Sequence, residues 1–148
     1  MKRHNLKLGK SGRALLYTSS LLLLGSGLTW TWIQRLDLAG ELTEALRQYK
    51  PWLLRIHGFA ALAFAIQFGA ILQGHVRRAW GPGHNRGNGI LILALLSLLI
   101  VSGYSLYYLG DEAWRNALAQ GHVWLGVASP LLMIWHIRSG RRSLQEGP

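Results

Sequence analysis

Leu91-Ile92-Leu93-Ala94-Leu95-Leu96-Ser97-Leu98-Leu99-Ile100-Val101 contains a single polar residue, Ser97. A helix on the surface of a soluble bundle would interrupt such a stretch with a charged face. None is present here, so the solvent on every side is apolar. The stretch is the centre of a run from Ile90 to Leu109. Three others resemble it: Ala14–Ile33, Leu53–Gly74 and Leu118–Ile137. About 20 predominantly apolar residues cross a ~30 Å hydrocarbon core as a helix. The four runs therefore predict an all-α membrane protein, a four-transmembrane-helix bundle. Residues 1–148 form one domain, with almost no chain left for a soluble one.

Half the chain is hydrophobic and 15% is charged, yet the formal net charge is +10. Such an excess invites a nucleic-acid reading, but the placement of the charges argues for topology instead. Lys2, Arg3, Lys7, Lys10 and Arg13 precede the first run. Arg77, Arg78 and Arg86 lie between the second and third, and Arg138, Arg141 and Arg142 follow the fourth. The remaining two connections hold Asp37, Glu41, Glu44, Asp111 and Glu112. Lys and Arg accumulate in cytoplasmic loops. One arrangement satisfies every segment, with four spans and both termini cytoplasmic. It fits a multi-pass protein of a bacterial inner membrane, with lipid as its surroundings and no nucleic-acid partner. The first run begins like a signal peptide but ends in Thr29-Trp30-Thr31-Trp32 without a small-residue cleavage site, so it reads as a mature span with an interfacial anchor.

The chain reads as two helical hairpins. Between the first two runs, Glu41–Arg47 is expected to form a short surface helix ending before Pro51. Trp80–Gly89 is glycine-rich and reads as a loop. Gly110–Ala117 reads as a tight polar turn. The segments Leu24-Gly25-Ser26-Gly27-Leu28 and Ile100-Val101-Ser102-Gly103-Tyr104 match weakly, as a duplicated hairpin would.

Four histidines lie on two of the runs: His57 and His75 on the second, His122 and His136 on the fourth. With cytoplasmic termini, both runs go from outside to inside. His57 and His122 then share the outer level, and His75 and His136 the inner one. The 18-residue gap is roughly 5.0 helical turns and the 14-residue gap roughly 3.9, so each pair leaves one face of its helix. The heights agree less well, at roughly 27 Å against 21 Å. Tilt, a kink at Pro130 or an end-of-helix position for His75 would absorb the difference. Ionisable residues within spans are rare and usually functional. A single interfacial histidine satisfied by a carbonyl or water would be unremarked; four, matched in depth and phase, suit two bis-histidine haems. His4 and His84 fall outside the pattern, although His84 would replace His75 if the central loop folds back.

The chain has no cysteine. Covalently attached haem, iron–sulfur clusters and thiolate zinc sites are excluded, and the haem would be b-type. A porphyrin plate needs small residues where it passes a helix. Gly27 and Gly103 lie in the outer halves of the first and third runs, Gly12 and Gly89 at their inner ends. Glycine is also common in membrane helices, where it permits close packing. Arg55 and Arg35 outside, and Arg77, Arg78 and Arg138 inside, are available to haem propionates.

On these residues the chain resembles the transmembrane di-haem b-type cytochromes. Its plan is similar to the four-helix core of cytochrome b in bc-type complexes and to small b-type subunits of membrane oxidoreductases. The resemblance covers nearly all of residues 13–138 and rests on spacing and topology. It implies that His57 with His122 and His75 with His136 ligate two haems, beside Gly27 and Gly103 at the outer one. Two departures stand out: the 18-residue histidine gap is longer than that family's, and no quinol-site signature is recognisable. The function implied is electron transfer across the membrane, between the quinone pool and a partner redox subunit such as a cytochrome c or an iron–sulfur or dehydrogenase subunit. Tyr104, Tyr107, Tyr108 and Trp124 are candidate quinone walls or an interfacial belt. A non-redox assembly subunit, with histidines as polar glue, is the alternative. A proton or metal transporter would call for acids inside the spans, and there are none.

Overall fold

The computed structural model describes residues 9–76 and 86–145. Its elements are α1 (Lys10–Leu38), the short α2 (Glu44–Arg47), α3 (Lys50–Ile71) continued by a π-helical turn (Leu72–Val76), α4 (Arg86–Ser105) and α5 (Glu112–Gln145). No strand occurs among the described residues. The chain divides into two compact units, residues 1–73 and 74–148. Each holds one of the hairpins expected from the sequence.

In the first unit, α1 packs against α3. Gln67 Nε2 donates to the Gly12 carbonyl, Ser26 Oγ meets His57 Nδ1, and Lys50 Nζ donates to Asp37 Oδ2. These contacts run in opposite order along the two helices, which are therefore antiparallel. The buried α1 residues Ser19, Ser26 and Ile33 are seven residues apart, and the two small serines let the helix backbones approach there. Ala60, Phe64, Gln67 and Phe68 form the buried face of α3. In the second unit α4 turns back into α5, with Asn88, Ile92, Leu95 and Ser102 on its buried seam.

The ends follow from local chemistry. Gly40, at φ +75°, closes α1: its N–H donates to Asp37 O (3.1 Å) and the Glu41 N–H to Leu36 O (2.9 Å). This Schellman arrangement favours glycine because an L side chain is strained there. Pro51 sits in the first turn of α3, where its missing N–H costs nothing. Asp111 caps α5, its Oδ1 accepting from the Trp114 N–H at 2.9 Å.

Three helical stretches are long and apolar enough to cross a membrane: Glu44–Gly74, Gly87–Ser105 and Glu112–Arg142. The first of the four expected spans does not reach that standard, although α1 is 29 residues long. Thr18, Ser19, Ser20, Ser26, Thr29 and Thr31 dilute its apolar run. Several of these hydroxyls are satisfied within the helix: Ser19 by Leu16 O (3.1 Å), Thr29 by Gly25 O (2.8 Å) and Thr31 by Gly27 O (2.9 Å).

Other boundaries also move. Arg86–Gly89 is helical and not loop, since it opens the seam that Asn88 and Ile92 bury. The tight turn is shorter than Gly110–Ala117, because the Asp111 cap starts α5 at Glu112. Residues 106–109 have left α4, with 3₁₀-type bonds such as Tyr108 N–H to Ser105 O (3.0 Å). The surface helix is confined to Glu44–Arg47. Helix α5 runs past Ile137 to Gln145 and is continuous through Pro130. Proline deprives the carbonyl four residues earlier, Gly126, of its donor; the Ser129 hydroxyl supplies one at 2.8 Å.

Candidate functional site

His57 stands two turns into α3, on the side facing α1. Its Nδ1 lies 3.0 Å from Ser26 Oγ. Ser26 Oγ also donates to the Leu22 carbonyl, four residues back on its own helix. A hydroxyl has one proton to give. With that proton on Leu22 O, the oxygen accepts from His57 Nδ1–H. This environment favours the tautomer with hydrogen on Nδ1 and the lone pair on Nε2. The next residue, Gly27, supplies clearance: a Cβ there would lie 3.2 Å from His57 Cε1.

The second unit repeats this arrangement. Ser102 Oγ lies 2.8 Å from His122 Nδ1 and donates to Leu99 O at 3.2 Å. A Cβ on Gly103 would lie 3.1 Å from His122 Cε1. Gly25, Gly69, Gly89, Gly121 and Gly126 have nothing within 4 Å of such a Cβ. Gly27 and Gly103 are thus distinguished from these five helical glycines by contact with a histidine ring.

The weak match between the Ser26-Gly27 and Ser102-Gly103 segments therefore has a chemical meaning that the sequence reading left unassigned. Serine supplies the hydrogen-bond partner and glycine the clearance for one imidazole. The serines were the missed residues. The signal was available, because the same dipeptide recurs in two apolar runs, each paired with a run that carries histidines.

The remaining candidates are placed as follows. His75 belongs to the π-helical turn Leu72–Val76. The 5.0-turn spacing assumes uninterrupted α-helix, and a π turn adds a residue to its turn, so that phase argument does not carry to His75. Turns of this type occur often at functional sites. His136 and Arg138 lie within α5, which continues beyond them. Arg55 stacks over Trp52, 4.6 Å from its ring centre. It lies about 200° around α3 from His57. Arg77, Arg78, His4 and His84 lie outside the described residues. Gly12 is opposite Gln67, whose amide takes its carbonyl.

Among the described residues no group of three or more His, Cys, Asp or Glu side chains could hold a metal ion. Bis-histidine haem ligation makes a different demand: two imidazoles, each with Nε2 as the donor atom and Nδ1–H held by a neighbour. The His57 and His122 environments meet the second part of that demand in the same way.

Outside the spans, Asp37 receives Lys50 Nζ at 2.7 Å and Arg47 Nη2 at 3.2 Å. The hydrogen bond from Lys50 holds its carboxyl below the ordinary value, with the charges of Lys50 and Arg47 adding to the effect. Lys50 also donates to Gln34 Oε1 at 2.6 Å. This clasp ties the end of α1 to the start of α3 and fixes the register that brings Ser26 to His57. Comparison with known protein families, characterised proteins and solved structures finds no match for this chain.

Proposed function

We propose that this chain is the membrane-embedded subunit of a di-haem b-type cytochrome, transferring electrons between a quinone pool and a partner redox protein. The observation that carries the reading is the repeated imidazole setting: Ser26 and Gly27 hold His57 as Ser102 and Gly103 hold His122. Serine orients each ring and keeps its proton on Nδ1; glycine lets the ring lie close to the neighbouring helix. Both histidines thereby present Nε2 as a ligand atom. A haem held by these histidines would supply one-electron exchange. His57 pairs with His122 for one site, His75 with His136 for the other, and Arg138 serves the inner propionates. The charge asymmetry of the connections supports four spans with both termini cytoplasmic.

The test is haem extracted and counted per chain after purification from haem-replete cells. Two b haems per chain are expected, and none would overturn the reading. The orientation is checked separately. In this cysteine-free chain, Glu112→Cys should react with an impermeant maleimide from outside the cell, and Arg141→Cys only after lysis.

The hydrogen bonds themselves favour a second reading, in which the histidines hold each hairpin together in a non-redox assembly subunit. It predicts a colourless protein in which His122→Ala weakens assembly alone.

A further inference from the structure

Within the first unit, a groove of about 460 Å³ runs along one flank of the α1/α3 pair. Small side chains beside large ones create it. Ser19 and Ala60 are buried in its floor, whereas Leu15, Ile56 and Phe59 stand exposed along its sides. The Ser19 hydroxyl donates to Leu16 O at 3.1 Å, so the floor offers no free hydroxyl proton. The lining extends on α3 from Trp52 to Ala63, roughly 16 Å at 1.5 Å per residue. That is about half of a ~30 Å hydrocarbon core, the depth of one leaflet.

One end of this apolar groove carries a cation. Arg55 lines it together with Trp52, the guanidinium carbon 4.6 Å from the indole ring centre. Among the described residues Arg55 has no carboxylate partner, because Asp37 and Glu44 pair with Arg47 and Lys50. Tryptophan and arginine near the start of a membrane-spanning helix belong at headgroup level. There the guanidinium matches the geometry of a phosphate, which it can bind through two parallel N–H bonds. We infer that the groove binds one anionic phospholipid, with an acyl chain against Ala60 and Ala63 and the phosphate on Arg55. Charge complementarity selects this occupant: a neutral isoprenoid chain or another apolar helix would leave Arg55 without a counter-ion. The site is not part of the hairpin repeat. Two and five residues before His122 stand Gln120 and Ala117, where Arg55 and Trp52 precede His57. Arg55 thus serves lipid in place of a haem propionate, in keeping with its position about 200° around α3 from His57. The site depends on α3 crossing the membrane and not on haem.

The test is native mass spectrometry of the full-length chain released from detergent micelles. It is titrated with dioleoyl phosphatidylglycerol or dioleoyl phosphatidylcholine, which share their chains and differ in net charge. One phosphatidylglycerol per chain should be retained in preference to phosphatidylcholine. Arg55→Gln should weaken phosphatidylglycerol binding about tenfold, the value of one hydrogen bond to a charged group, and abolish the preference. Ala63→Phe fills the groove and should weaken both lipids. Arg35→Gln is the control for surface charge: Arg35 lies roughly 2.5 turns from Ser26, on the side of α1 away from α3, and does not line the groove. It should change neither affinity. Equal retention of the two lipids by wild type, or an unchanged preference in Arg55→Gln, would overturn the inference in favour of annular lipid or a neutral occupant. No retained lipid, with Ala63→Phe lowering the melting temperature, would overturn it in favour of a covering helix. A chain that binds the lipid but takes up no haem would instead overturn the cytochrome reading and leave the lipid site standing.

Discussion

Ser102 Oγ stands 2.8 Å from His122 Nδ1 and 3.2 Å from the Leu99 carbonyl. With the hydroxyl proton on Leu99 O, the bond runs from imidazole to hydroxyl and leaves Nε2 as the ring's donor atom. Outer-shell partners of this type typically contribute 10–100-fold to metal affinity. Ser102→Ala should lower haem affinity by about that factor, and Ser26→Ala should do the same for the site that includes His57. Haem titration with spectroscopic detection measures both. If the histidines are only glue, these variants lose about 1 kcal/mol of stability and nothing else.

Glycine substitutions separate crowding from general helix effects. At Gly27 and Gly103 an added Cβ lies 3.2 Å and 3.1 Å from a histidine carbon, so the ring must shift by a few tenths of an ångström. Gly27→Ala and Gly103→Ala should perturb the haem spectrum and lower the melting temperature. At Gly25 the same change meets open space and should be neutral or stabilise by about 0.5–1 kcal/mol. Thermal melting of the three variants, side by side, checks the contrast.

Pro130 and Ser129 form a compensated pair. Ser129→Ala leaves the Gly126 carbonyl without the hydroxyl donor that proline made necessary, which should cost about 1–3 kcal/mol. Pro130→Ala restores a backbone N–H in that position. The double variant should then be more stable than Ser129→Ala alone, a non-additivity that a thermal double-mutant cycle reads directly.

The clasp at the α1–α3 link makes stability depend on pH. The carboxyl of Asp37 is held below its ordinary 3.8 by the hydrogen bond from Lys50 and the nearby charges. A lowered folded-state value means that the unfolded chain binds the proton more readily. The contribution is fully present above the ordinary value and disappears as pH falls through the lowered one. Melting temperatures between pH 5 and 2 should fall less steeply in Asp37→Asn than in wild type.

The helices were legible because apolar residues are clumped: Leu91–Val101 permits little else. Their ends were less so. Helix α5 continues through Arg138, Arg141 and Arg142 because helix formation does not stop where hydrophobicity does, and its start at Glu112 depends on the Asp111 cap. The π-helical turn at Leu72–Val76 carries no compositional mark. Spacing and topology pointed to His57 and His122, but Ser26 and Ser102 entered only as part of a weak internal match. Their role is set by interhelical register, which no single-helix pattern contains.

The central claim is that His57 and His122 serve one haem. The most direct measurement is the reduced-minus-oxidised visible spectrum of the purified chain, recorded for wild type, His57→Ala and His122→Ala. The account predicts two low-spin b haems in wild type and loss of the same one in each variant, with the remaining signal identical in both. Loss of different haems would contradict the pairing, and a wild-type chain without haem would contradict the cytochrome reading itself.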